Sequence, residues 1–76
     1  MVTAFVLSRC EPGFEEQIKQ EISLIPEVTD IDITYGSYDI VFRIETTNKK
    51  SLVDIILNDI RGNSKIKETQ TLPIFL

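Results

Sequence analysis

The residues of this chain predict an α+β domain with two helices on one face of a four-stranded antiparallel sheet, and three observations carry that reading. Four segments read as strands, by alternation with a period of two or by a short continuous apolar run, and apolar residues recur with helical spacing in two others. The segments run in the order βαββαβ. Pro12-Gly13, Pro26, Gly36 and Gly62 punctuate the boundaries between them. At 76 residues the chain is too short for two cores, so residues 1–76 are read as a single domain.

Val2 to Leu7 is β-branched and aromatic and is apolar at both parities, with Val2, Ala4 and Val6 on one face and Phe5 and Leu7 on the other. Such a segment belongs at the centre of a sheet covered on both sides. Pro12-Gly13 ends it. Gly13 is placed as the N-cap of a helix whose first turn holds Glu15 and Glu16, where the helix dipole favours acids. Phe14, Ile18, Ile22 and Ile25 form its apolar stripe, Glu15 and Lys19 form an outward i,i+4 pair, and Pro26 stops it.

A second strand is expected from Val28 to Tyr35, with Ile31, Ile33 and Tyr35 on one face and Asp30, Asp32 and Thr34 on the other, the half-solvated pattern of an edge. Gly36-Ser37 reads as a two-residue hairpin with glycine first, as a type II′ turn requires. The returning strand puts Tyr38, Ile40, Phe42 and Ile44 on one face and Asp39, Val41, Arg43 and Glu45 on the other. Asn48 is the N-cap of the second helix, whose face is Leu52, Val53, Ile56, Leu57 and Ile60, with Arg61 in its last turn and Gly62 at C′. Lys65 to Leu76 is a final strand, and Pro73 confines it to an edge or a bulge. The order is the split βαβ arrangement of ferredoxin-like folds, whose right-handed crossovers place both helices on one side.

Composition removes whole classes of function. Twelve acids against eight bases leave a net charge of −4, which excludes a free-standing DNA binder because phosphates need a basic face. Histidine is absent and Cys10 is the sole cysteine. Disulfides, zinc sites and His-based catalysis therefore have no raw material, and the chain is read as neither an enzyme nor a holder of a metal or cofactor. No apolar run approaches the ~20 residues of a membrane span, and Val2 to Leu7 lacks the flanks of a signal peptide. A soluble, cytoplasmic protein is expected.

Two helices cover only one sheet face. The other keeps apolar residues from the first strand together with Val41, and the Leu72 to Leu76 tail has no layer of its own. A homodimer is expected, with two sheets facing one another or exchanging C-terminal strands. The competing reading is a monomer with a frayed tail.

The candidate ligand residues cluster at the hairpin. Asp39 follows Gly36, Ser37 and Tyr38 in a parity that points away from the helices; it reads either as a plain strand carboxylate or as the anion that receives an ammonium group, with Gly36 N–H groups meeting the ligand's other end. Thr69 and Thr71 share a parity opposite Ile66 and offer two hydroxyls on what is otherwise a wet sheet face. Arg9 and Glu11 read as a surface pair, and Cys10 as an unreactive loop thiol.

Pro12-Gly13 before an amphipathic helix, Ile25-Pro26-Glu27-Val28 after it, Tyr35-Gly36-Ser37-Tyr38-Asp39-Ile40 and Glu68-Thr69-Gln70-Thr71 resemble, in order and spacing over nearly the whole chain, the effector-binding (RAM) domain of Lrp/AsnC regulators. The resemblance implies sheet-paired dimers that assemble into rings such as octamers, with amino acids bound at contacts between dimers. It puts Gly36, Tyr38 and Asp39 in the place of the hairpin motif and Thr69 and Thr71 in that of a threonine pair. Ser37 stands where members often have an acidic or polar residue, and Gly62-Asn63-Ser64-Lys65-Ile66 replaces the usual Pro-Gly-Val. Members carry an N-terminal helix-turn-helix domain, whereas here Met1 opens on the first strand, which implies a stand-alone form. The expected function is an amino-acid-sensing oligomerisation module able to join full-length regulators. A dimeric α+β barrel enzyme of the small monooxygenase type competes with it, although such enzymes usually offer His or Trp. An ACT-like structural or regulatory adaptor is the third reading.

Overall fold

The computed structural model describes residues 1–74; the expectation for Phe75 and Leu76 lies outside the described residues. Strands β1 (Val2–Cys10), β2 (Val28–Ile33), β3 (Ile40–Thr46) and β4 (Ile66–Ile74) form one antiparallel sheet in the order β2-β3-β1-β4. Helix α1 (Glu15–Ser23) links β1 to β2, and α2 (Lys49–Asp54), continued by a π-helical segment Ile55–Ile60, links β3 to β4. The ferredoxin-like order is the one expected, with β1 central and β2 and the proline-bearing β4 at the edges.

Alternation places Ala4, Val6, Ile40, Phe42 and Ile44 on the sheet face beneath the helices, all fully buried against Ile18, Ile22 and Ile60. Each of these side chains other than Ala4 contributes about 1.5–3 kcal/mol on burial. Ser8 shares that face at no exposure because its hydroxyl donates to the Ile40 carbonyl at 3.2 Å. The opposite face carries Phe5, Leu72 and Ile74, each more than a third exposed, as the uncovered-face expectation requires.

Several boundaries differ from the expectation. Phe14, not Gly13, occupies the N-cap position of α1. Gly13 instead adopts φ 90°, and its N–H donates to the Glu15 carboxylate at 3.1 Å, so Glu15 braces the turn instead of reaching toward Lys19. Asn48 is the N-cap predicted for α2, its Oδ1 accepting from Ser51 N–H at 2.8 Å. Gly62 has no positive φ. Glycine is needed there because a Cβ would collide with the Asn58 carbonyl oxygen. Cys10 is the buried last residue of β1, not a loop thiol. Arg9 pairs with Glu68 at 3.5 Å and Glu11 with Lys67 at 3.2 Å, so the two do not pair with each other.

Candidate functional site

The β2–β3 connection is longer than a two-residue hairpin. Ile33 pairs with Ile40, leaving residues 34–39 as the loop. Thr34 closes it, donating from its N–H to the Asp39 carbonyl and from its hydroxyl to the Tyr38 carbonyl, both at 2.8 Å. Gly36 sits within it at φ 125°, a region that side-chain-bearing residues rarely enter. Asp39 also ties the loop to β1. Its N–H donates to the Ser8 carbonyl at 2.9 Å, and its carboxylate accepts from the Cys10 N–H at 3.0 Å. A side chain thus stands in for the next carbonyl of the ladder and carries the β3–β1 pairing one row further.

The Asp39 side chain does not point to the uncovered sheet face as its parity suggested. Asp39 borders a cleft of about 380 Å³ together with Glu15, Glu16, Thr34, Tyr35 and Gly36, at the junction of the loop with the start of α1. Three carboxylates and no base line it. The Cys10 thiol is pushed above its ordinary value first by burial and then by two of these carboxylates, Asp39 and Glu15, with Glu11 outside the cleft adding to them. A cleft of this sign favours an ammonium or guanidinium over an anion.

Tyr38 goes elsewhere. Its hydroxyl donates to Gln70 Oε1 at 2.8 Å, and the Arg9 guanidinium lies 5.5 Å from its ring centroid. Gln70 pairs with Leu7 and Glu68 with Arg9, outside the buried Ser8 row, so Tyr38 lies over the uncovered face and not beside Ile40 and Phe42. The irregular loop backbone breaks the alternation on which that expectation rested.

The threonine pair is also on the other side from the one expected. The β1–β4 register shifts between Arg9 and Cys10: Arg9 faces Glu68 but Cys10 faces Ile66, so one extra residue enters β4 at Lys67. Thr69 therefore pairs with Ser8 and Thr71 with Val6, on the same face as Ile66 and the helices. Thr69 borders a hollow with Arg61, Ile66, Lys67 and Glu68, and Thr71 borders a groove with Leu52, Leu57 and Pro73. Of the six residues expected to share a site, Gly36 and Asp39 border one cleft and Ser37 is exposed beside them; the Tyr38 side chain leaves the same loop for Gln70, and Thr69 and Thr71 lie on β4 with β1 intervening. Glu15 and Glu16 were missed as site residues. Their helix-start signal was visible, but only packing shows that α1 begins over the loop. Among the described residues no group of three or more acids, cysteines or histidines is arranged to hold a metal.

The assembled picture is a ferredoxin-like domain with an acidic loop cleft at one end and a sheet face that no second layer of described residues covers. The chain belongs to the Lrp/AsnC ligand-binding domain family, whose sequence model matches residues 3–75. It is 27% identical over 77 residues to an uncharacterised HTH-type transcriptional regulator of Pyrococcus furiosus, a match covering 97% of this chain and 51% of that one. The chain thus spans about half the length of the curated relatives it matches. A hypothetical protein from Pyrococcus horikoshii shares the fold at a TM-score of 0.96 and 34% identity, over 100% of this chain and 92% of that one. A transcriptional regulator of Neisseria meningitidis, crystallised as its L-Met complex, has the same fold at a TM-score of 0.86 and 13% identity, over 99% of this chain and 50% of that one. No helix among the described residues is long and apolar enough to cross a membrane.

Proposed function

We propose that this domain senses an amino acid or a related metabolite in the cytoplasm and responds through its assembly state, pairing by its sheet face into dimers and binding the ligand where dimers meet. The observation that carries this reading is the sheet face over which no described residues form a second layer. Phe5, Leu72 and Ile74 stand there in solvent, and Arg43 keeps Nε buried with no acceptor although its terminal nitrogen reaches Glu45 at 3.1 Å. An orphaned donor among exposed apolar side chains is what a missing layer leaves behind. Principal extents of 34 and 22 Å bound a footprint of about 750 Å², close to the ~800 Å² that each partner gives to a standard interface.

The ligand half of the reading rests on the acidic cleft. Asp39, Glu15 and Glu16 suit an ammonium group, while the threonine hydroxyls lie too far around the same chain to reach it, so a complete pocket draws them from a neighbouring copy. A ligand that fits only the assembled pocket stabilises that assembly by RT ln(1 + [L]/Kd), about 2.7 kcal/mol at a hundredfold excess over Kd. By the same logic the domain joins full-length relatives that present a matching face. Light scattering and calorimetry with each of the twenty amino acids test this. A subset of them is expected to bind and to shift the size distribution; no heat and no shift at millimolar ligand overturns the ligand reading.

A further inference from the structure

We propose that Tyr38 is a positioning residue that couples the uncovered sheet face to the acidic cleft, so that a second sheet laid over the face fixes the loop lining the cleft. This deepens the proposed function; it rests on the sheet pairing and not on the identity of the ligand.

One loop serves two surfaces. Thr34, Tyr35, Gly36 and Asp39 border the cleft on the side where α1 begins. Tyr38, in the same loop, sends its side chain the other way. It passes over β1 to β4, where its hydroxyl donates to Gln70 Oε1 at 2.8 Å, and its ring centroid lies 5.5 Å from the Arg9 guanidinium carbon. Arg9 is itself held by Glu68 at 3.5 Å. Among the described residues of the loop, Tyr38 alone makes a side-chain hydrogen bond on the uncovered face.

The backbone around the same residue belongs to the cleft. The Tyr38 carbonyl accepts from the Thr34 hydroxyl at 2.8 Å. The next residue, Asp39, donates its N–H to the Ser8 carbonyl at 2.9 Å and accepts the Cys10 N–H with its carboxylate at 3.0 Å. The loop tip, by contrast, is unpacked: Tyr35 is wholly exposed, and no atom beyond its chain neighbours lies within 4 Å of where a Cβ on Gly36 would stand. The ties at Thr34, Tyr38 and Asp39 therefore set where the loop sits. A Tyr38 side chain that swings off β4 pulls on Thr34 and Asp39, and both of those line the cleft.

Covering the face changes what the Tyr38–Gln70 bond contributes. In the single chain the pair is exposed, so water competes for both groups and the bond breaks at little cost. The apolar patch adjoins it directly, because Gln70 pairs with Leu7 and Leu72 with Phe5 along β1. A second sheet resting on Phe5, Leu72 and Ile74 excludes water from the pair as well. A broken bond then strands a hydroxyl and an amide in a dry seam, where an unpaired polar group costs far more than in water. Pairing thus makes the bond obligatory and holds the loop. By reciprocity, whatever binds the ordered cleft more tightly strengthens the pairing by the same factor.

Hydrogen–deuterium exchange of the ligand-free protein tests this, read by mass spectrometry on a peptide holding the Thr34 and Asp39 amides, both donors within the loop. It is measured well below and well above the dimer midpoint found by sedimentation equilibrium, for the wild type, Tyr38→Phe and Gln70→Leu. A peptide from β3 is the control, since its exchange requires opening of the core and slows with dimerisation in every protein. In the wild type the loop amides are expected to slow roughly two- to tenfold on pairing, the scale of one hydrogen bond made secure. Both variants are expected to dimerise and to protect β3, while their loop amides exchange alike at the two concentrations. If one variant fails to dimerise, the other decides. The proposal is overturned by a loop that is indifferent to pairing in the wild type, or by a variant that dimerises and protects its loop as the wild type does. Failure of both variants to dimerise also overturns it, because the pair then belongs to the seam itself and links it to nothing. A wild type that stays monomeric removes the sheet-pairing reading and this inference with it, whereas a dimer with an unmoved loop removes only the coupling.

Discussion

Replacing Asp39 separates its structural work from any ligand role. Asp39→Ala deletes the acceptor that the Cys10 N–H uses at 3.0 Å, in a residue only 5% exposed. Stranding a buried donor costs about 1–3 kcal/mol. Asp39 itself is only partly buried, so some water reaches the vacated position and the expected loss is about 1–2 kcal/mol. At about 4–8 °C per kcal/mol for a domain of this size, Tm falls by roughly 5–15 °C. Asp39→Asn keeps an oxygen in place and loses only the charge assistance, about 0.5–1 kcal/mol. Thermal unfolding by circular dichroism at pH 7 and one protein concentration measures both, the concentration being fixed because assembly itself raises Tm. Thiol reactivity against pH gives a second readout. Burial is the first cause of the raised Cys10 pKa and Asp39 the second, so both variants lower it without restoring the ordinary value. An alanine variant as stable as the wild type, or an asparagine variant as damaged as alanine, refutes the claim that this carboxylate completes the ladder.

Phe42→Ala empties the largest fully buried position and is expected to cost about 3–5 kcal/mol in urea unfolding, enough to unfold a marginal domain. Asn48→Ala removes the cap on Ser51 N–H and should cost about 1 kcal/mol in the same assay. Gly36→Ala meets no neighbouring atom, so its expected cost of about 1–3 kcal/mol comes wholly from φ 125°; an unchanged midpoint would show that the loop relaxes freely. Cys10 predicts an alkaline loss of stability. Its folded pKa is raised above the ordinary 9.0, so its contribution is complete below pH 9 and is lost as pH climbs through the folded value, a decline that Cys10→Ser should flatten in denaturation curves taken between pH 7 and 11.

The order of elements, the central place of β1, the edge position of β2 and the Asn48 cap were all legible because each is a local property, a parity or a capping side chain. The uncovered face was legible too, since two helices cannot cover both sides of one sheet. The candidate site was legible only in part. Gly36 and Asp39 border one cleft, the Tyr38 side chain crosses to the other face, and Glu15 and Glu16 join from α1, a long-range adjacency with no local signal.

What the sequence by itself determined was which residues alternate and which recur with helical spacing, because hydrophobic periodicity is written residue by residue. What only the tertiary structure decided was the face on which Thr69 and Thr71 lie. Parity counted from Ile66 puts them opposite it, but the register shift at Arg9/Cys10 adds one residue to β4 and turns everything after Lys67 over. Strand periodicity has a period of two, so a single unpaired residue inverts the assignment of every side chain beyond it, and pairing with β1 alone fixes where that residue falls.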